Sequence, residues 1–540
     1  MKQMEIRKKQ FMIGAEMLGL VVLILLVRVI GDWGMTYLAA ALEVYALLQI
    51  LFTACIPDGM GRLLRARMNK GQYKNAGKVC KATLLYCLTV GLLGACLLLL
   101  FADALMGGLL RLPEASYVLR LLAPLFLIEA VCAVLQGYFQ GIGTAMPTVV
   151  AGILKQVFAF SFALLFAHVF YSHGEKVSDL LHTERFTYMY GAGGTALGMT
   201  LAGVLPLCFL FIIYLGAGRR GIKRGQEGMR LTEGSFEVLR LLLLTVMSEV
   251  CIRFLLRAGT LVGMAVLFRG ISDTENMQAE FNAYGGFYAK YLLPVGILAG
   301  AALLLCVGNQ SNLMTSIKKE EYKNAKNLFT GGIQTIFFLN GFFAVINVVL
   351  NPGILNCIFG NSGGTVYGTG CMQRGFLAIL FLPMSIYFMN LLIGLGRKKI
   401  VLLNTLGSFV IFLIAALVGR GVTGGSIYAL AFAFMILTAA NCILNGFFVM
   451  KTLQYDPEWI HLFAMPALAA VVTGFCLFLL NRALVSLLGE AIAVLFGLVI
   501  GCGCYVILLF TFRCIREKEL YMLPGGDVLR KIGEILHILS

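Results

Sequence analysis

Apolar runs of about twenty residues, separated by short polar stretches, recur along the whole chain. A helix rises about 1.5 Å per residue, so about 20 residues cross the roughly 30 Å of bilayer hydrocarbon. Fourteen runs reach that length: 11–30, 36–56, 80–102, 117–140, 147–170, 189–215, 238–267, 283–307, 328–350, 373–395, 400–418, 426–450, 461–481 and 487–511. Backbone groups inside lipid must be satisfied within their own segment. The pattern therefore predicts an all-α polytopic membrane protein with about 14 transmembrane helices.

Composition agrees: 59% of the 540 residues are hydrophobic and 13% charged. A soluble chain carries about 25% charged residues. The net charge of +16 acquires meaning only once the charges are placed. With the N-terminus inside, 29 of the 43 Lys and Arg fall on the inner side, six on the outer side and eight within spans. That asymmetry predicts both termini on the cytoplasmic side and an even number of spans. The surplus is thus inner-loop charge and does not point to nucleic acid. The apolar run after Arg7, Lys8 and Lys9 lacks a small-residue cleavage site, so it is expected to be a retained first span.

The fifteen cysteines lie mostly inside apolar runs, and neither they nor the five histidines show metal-ligand spacing. No metal or other cofactor is expected. Cys357 and Cys371 bracket an outer loop where a disulfide is feasible. No GxxxxGK[ST] is present, and the glycine runs 191–194 and 360–370 follow no strand. Close helix packing is expected of the first and a flexible outer loop of the second.

An internal repeat organises the spans. Tyr73-Lys74-Asn75-Ala76 follows span two and Tyr322-Lys323-Asn324-Ala325 follows span eight; Gly141-Ile142-Gly143 follows span four and Gly394-Leu395-Gly396 follows span ten. The offsets, 249 and 253 residues, both correspond to six spans. Six is even, so the halves insert the same way up, as in parallel transporter repeats. The expected limits are an N-terminal lobe at 1–215, a cytoplasmic linker at 216–237 and a C-terminal lobe at 238–450. Two added spans at 451–511 and a cytoplasmic amphipathic tail at 512–540 follow. Two lobes with a cavity between them suit alternating access.

Several motifs are shared with a known group of transporters. Gly31-Asp32-Trp33-Gly34-Met35, Tyr45 and Thr53-Ala54-Cys55-Ile56-Pro57 are followed by Leu122-Ala123-Pro124 and Gly137-Tyr138-Phe139-Gln140-Gly141. Met146-Pro147-Thr148, Lys155-Gln156, Gly394-Leu395-Gly396-Arg397 and Glu519-Leu520 to Leu523-Pro524-Gly525-Gly526 complete the set. In this order they resemble the multidrug/oligosaccharidyl-lipid/polysaccharide (MOP) exporters, in the branch of stage V sporulation protein B and lipid II flippase-like proteins. The resemblance implies a MATE-like fold in a bacterial plasma membrane and a substrate that is a lipid-linked saccharide or another anionic amphiphile. Three departures bear on substrate and coupling: a first span about ten residues short, no proline in span seven, and Gln136 where the branch has arginine.

Charged residues within spans are costly and mark functional candidates. Glu129 and Glu249 fall near the midplane; Lys155 enters from the inner side, Glu43 and Lys290 from the outer side, and Arg28 lies close to the outer end of span one. Glu249, Arg253 and Arg257, at i, i+4 and i+8, share one helical face. Glu249 pairs internally with an arginine and fixes packing, or it neutralises one guanidinium and leaves the other for an anionic ligand, or the charges form an inert surface pair. On the second reading Arg253, Arg257, Arg28 and Lys155 hold a pyrophosphate, whose oxygens suit the planar guanidinium fork. Glu249, Glu129 and Glu43 then line the cavity or couple transport to H⁺ or Na⁺.

The expected activity is outward flipping of a polyprenyl-pyrophosphate saccharide for cell-wall or surface polysaccharide synthesis, by a transporter rather than an enzyme. The alternatives are a cation-coupled multidrug exporter of the MATE type and a transport-inactive membrane scaffold. An excess of cations along the cavity would disfavour the exporter, because cationic drugs call for carboxylates.

Overall fold

A computed structural model describes residues 2–144, 146–218, 233–268, 277–423 and 426–515. Most of the expected linker, Arg269 and the tail beyond 515 lie outside the described residues. Those described form helices, and no strand occurs among them. In chain order the helices are α1 (Lys2–Phe52), α2 (Ile56–Asn69), α3 (Tyr73–Leu100), α4 (Ala115–Gly141), α5 (Met146–Leu181), α6 (Arg185–Ile213) and α7 (Ser235–Phe268). Then come α8 (Met277–Phe287), α9 (Leu293–Lys318), α10 (Tyr322–Val349), α11 (Asn351–Phe359), α12 (Gly363–Gly375) and α13 (Ala378–Gly394). The last four are α14 (Lys398–Thr423), α15 (Ile427–Leu453), α16 (Met465–Leu488) and α17 (Glu490–Thr511).

Eleven helices are long and apolar enough to cross a membrane, or twelve when the bent pair α12 and α13 counts as one span. Two features connect that number with the fourteen apolar runs. The stretch Lys9–Asn69 counts once, yet its 61 residues hold two of the expected spans. They are separated at Gly31, whose φ of 70° interrupts the helical backbone of α1. Glycine supplies such a conformation without a Cβ penalty. The other feature is α7, 34 residues long and bearing Glu249, Arg253 and Arg257, which is outside that apolar set. Exposed leucines on α3, such as Leu93 at 68% and Leu100 at 76%, are what a lipid-facing surface requires.

The 360–370 run departs from the expected flexible loop. Residues 363–375 are helical as α12, which meets α13 at a bend of 60°. Ser362 caps α12 by accepting from the Thr365 amide. A Cβ on Gly286 would stand 2.2 Å from the Gly364 carbonyl, so small residues allow these backbones to meet. The 191–194 run behaves as expected. In α6, a Cβ on Gly194 or Gly198 would lie 2.2 or 2.5 Å from the α5 carbonyls of Phe166 and Phe162. Cys357 and Cys371 do not form the feasible disulfide among the described residues, and Cys371 is buried.

The chain divides into two compact units, Val22–Phe281 and Met1–Val21 with Asn282–Ser540. These do not follow the lobe limits expected from sequence, because α7 belongs to the first unit. Val246 and Leu242 of α7 occupy the space beside Gly59 of α2. Val238 and Leu242 also join a core with Met60, Leu64, Val79 and Tyr138. Gly137 and Gly141 seat α4 against Met60 and Leu64. In the other unit, Gly14 and Met17 of α1 pack on α9 at Leu304 and Gly300. Asn404 of α14 donates to Asn445 of α15 at 3.1 Å, a buried polar link between apolar helices. The added helices α16 and α17 pack on α10 through a core of Phe338, Ala469, Ala470, Tyr505 and Leu509.

The turns at the two pairs of repeated sequence motifs have matching backbone geometry. Before α3, Gly71 has φ 73° and the Gln72 amide donates to the Arg67 carbonyl at 2.9 Å. Before α10, Glu320 has φ 62° and the Glu321 amide donates to the Ser316 carbonyl at 2.9 Å. After α4, Gly143 has φ 86° and Thr144 bonds back to Phe139; after α13, Gly396 has φ 78° and Arg397 bonds back to Leu392. All four are Schellman-type closures with a left-handed residue at C′.

Three substitutions test these contacts and turns. No neighbour lies within 4 Å of a Cβ placed on Gly71, so Gly71→Ala isolates backbone strain. A loss of about 1–2 kcal/mol in the unfolding free energy is expected, whereas Glu320→Gly relieves strain and leaves stability equal or higher. Gly198→Leu forces α5 and α6 apart and lowers the thermal midpoint of detergent-solubilised protein more than either.

Candidate functional site

Charged side chains within the first unit form two clusters, on α7 and on α4. Along α7 the three charges fall on one face because i, i+4 and i+8 spacing aligns them. Each meets a residue of opposite sign on α1 or α2. Glu249 takes a forked contact from Arg62, with Nη1–Oε1 at 2.7 Å and Nη2–Oε2 at 3.1 Å. Arg253 Nη2 lies 3.6 Å from Asp58 Oδ2. Arg257 Nε lies 2.9 Å from Glu43 Oε2, to which the Thr260 hydroxyl also donates at 2.7 Å. Glu43 Oε1 is buried without a hydrogen-bond partner among the described residues.

The second cluster surrounds Glu129 of α4. Lys155 of α5 pairs with its Oε1, and Tyr45 Oη and Gln49 Nε2 of α1 donate to its Oε2, the tyrosine at 2.5 Å. Glu43 and Tyr45 are two residues apart, about 200° round the helix at 3.6 residues per turn. The Glu43–Arg257 pair and the Glu129 cluster therefore lie on opposite sides of α1.

The clusters share an electrostatic arrangement. The side chains of Glu43, Glu129 and Glu249 are 1%, 11% and 10% exposed, while their partners Arg257, Lys155 and Arg62 are 36%, 39% and 44% exposed. Arg253 and Asp58 are both about half exposed. An isolated buried carboxylate is unfavourable, and a guanidinium or ammonium beside it compensates. In three of the four pairs the acid sits inside and the base outside, so these nearly neutral pairs expose mainly their cations.

Several sequence expectations change. Glu249 draws its forked partner from α2 and not from the arginines on its own helix. Four cations face four carboxylates across these pairs. Arg253 and Arg257 share the α7 face, Lys155 belongs to the Glu129 cluster, and Arg28 lies on the exposed side of α1. Arg62, Asp58, Gln49 and Thr260 were not anticipated. Arg62 and Asp58 follow the last apolar residue of span two, where charge bias reads as an inner loop; the helical continuation of α2 turns them toward α7.

Other charges do structural work. Arg67 Nη2 pairs with Glu233 at 2.8 Å and Lys78 donates to the Glu233 carbonyl at 2.6 Å, holding the approach to α7. Buried Lys290 donates to Ser362 Oγ at 2.8 Å and Thr365 Oγ1 at 3.0 Å beneath α12. That contact accounts for a cation the sequence places inside the membrane.

Residues 11–303 match the family model described as polysaccharide biosynthesis protein. The chain is similar to stage V sporulation protein B of Bacillus subtilis (strain 168), with 20% identity over 516 residues and 94% of each chain covered. Among solved structures it resembles the lipid II flippase MurJ in an inward closed conformation. That match has TM-score 0.63 and 14% identity, over 94% of this chain and 98% of that one. An inward-facing MATE family multidrug resistance transporter of the MOP superfamily matches with TM-score 0.64 and 14% identity, over 82% and 94% of the two chains. The family match covers more than half of the chain, and the solved structures share its fold: the chain is a polytopic membrane protein of the polysaccharide biosynthesis protein family.

Proposed function

We propose that this protein flips a lipid-linked saccharide outward across the bacterial plasma membrane by alternating access, with a polyprenyl pyrophosphate as the anionic head. The observation that carries the reading is a row of arginines at the α7 face: Arg62 and Arg257 lie more exposed than the buried carboxylates they pair with, and Arg253 is half exposed on the same face. Arg62, Arg253 and Arg257 offer planar forks that match phosphate oxygens two at a time. Their carboxylate partners keep these cations affordable in an apolar setting while no substrate is bound. An arriving pyrophosphate then competes with Asp58, Glu43 and Glu249 for the same donors. The names of the relatives, a sporulation protein and a lipid II flippase, support a substrate of this class.

The MATE likeness supports a second reading, export of cationic drugs with H⁺ or Na⁺ as coupling ion. The carboxylates such a substrate needs are present, but three of the four lie beneath cations. Glu43, with an unsatisfied oxygen, and Glu129 are the coupling candidates on either reading.

Removing one member of a buried pair leaves the other uncompensated. Arg257→Gln should therefore cost about 3–5 kcal/mol, and Glu43→Gln combined with Arg257→Gln should recover most of that loss. The combined variant, with Arg253→Ala added, is expected to fold and yet lose flipping of a labelled polyprenyl-pyrophosphate saccharide in liposomes. Retained flipping by folded protein overturns the assignment, and efflux of a cationic dye by the wild type without saccharide flipping selects the second reading. Transport should also respond to voltage. A negative-inside potential assists outward movement of an anion by about 2.3 kcal/mol per charge per 100 mV, so a valinomycin-driven potassium gradient should accelerate flipping. Indifference to the gradient contradicts movement of a charged head.

A further inference from the structure

The helices α16 and α17 contain only two charged residues, Arg482 and Glu490, in 46 positions of otherwise apolar or small polar sequence. Both line one cavity of about 460 Å³, within the usual range for small-ligand sites. Its walls come from the end of α10, the Pro352-Gly353 start of α11, the end of α16 and the start of α17. Charge bias puts this end of the helices outside. Arg482 and Glu490 are exposed and form no ion pair with each other among the described residues. Asn356 donates to Glu490 at 3.3 Å. Asn481 also lines the cavity, and its Oδ1 is buried without a hydrogen-bond partner.

A cation, a carboxylate and an amide acceptor therefore converge on an otherwise apolar cavity. Phe478 and Val494 form part of that apolar lining, and Leu487 and Leu495 beside it are 78% and 65% exposed. We propose that this cavity binds the headgroup of a zwitterionic membrane lipid with a primary ammonium, such as phosphatidylethanolamine, taken from the outer leaflet. Arg482 receives the phosphate, Glu490 and Asn481 Oδ1 accept from the ammonium, and the acyl chains run over the exposed apolar side chains. A purely anionic headgroup would meet Glu490 as a like charge. A trimethylated ammonium lacks the N–H donors that Asn481 Oδ1 and Glu490 call for.

The site is separate from the α7 pairs and does not rest on the flippase reading. Native mass spectrometry of the purified full chain, with equal amounts of phosphatidylethanolamine, phosphatidylglycerol and phosphatidylcholine of matched chains, reads occupancy directly. Ethanolamine lipid is expected to lead the other two by about tenfold. Glu490→Gln should abolish the lead over phosphatidylglycerol, and Arg482→Gln should remove bound lipid of all three kinds. Both side chains are exposed, so unchanged elution and thermal midpoint should accompany these effects. Equal occupancy by the three lipids in the wild type, a preference for phosphatidylglycerol, or variants that bind like the wild type overturns the proposal.

Discussion

The cost of placing a charge in an apolar environment governs the arrangement of the first unit. Glu43, Glu129 and Glu249 survive there because each has a cation against it, and in every case the carboxylate is the more buried partner. The order has a physical basis. A short carboxylate reaches only its immediate neighbours, whereas arginine and lysine can lay their stems along apolar surface and carry the charge outward. Pairing α7 with α1 and α2 thus does two things at once. It fixes three helices together, and it leaves Arg62 and Arg257 more exposed than the carboxylates behind them.

The same pairs explain why the compact units depart from the repeat. Duplication alone would send α7 with the second set of six spans. Its charged face and the Val246 contact beside Gly59 hold it to α2. The first stretch of α1, through Gly14 and Met17, is correspondingly part of the other unit. Sequence order and packing order are therefore different in both halves, at span one and at span seven.

Much of this was legible from the chain. Span number, repeat and family follow from features with strong local signals, namely apolar length, charge bias and short motifs. The candidate charges were also found, since Glu129, Glu249, Arg253 and Arg257 stand out in apolar runs. Their partners were not, for a definite reason: Arg62 and Glu249 are 187 positions apart, and nothing in a single sequence encodes that proximity. Arg62 was further concealed by lying among loop-like basic residues. The 360–370 stretch misled in the opposite direction. Its glycines suggest looseness, but they serve to admit the backbone of residue 286 and the stem of Lys290.

One turn carries information that the motifs do not. The chain reverses into α3 through Gly71 and into α10 through Glu320, with nearly the same dihedral angle and the same hydrogen bonds. Only the first residue is suited to that angle. At Glu320 the angle is held by the helices on either side against the residue's own preference, so the turn into α10 carries backbone strain that the turn into α3 does not.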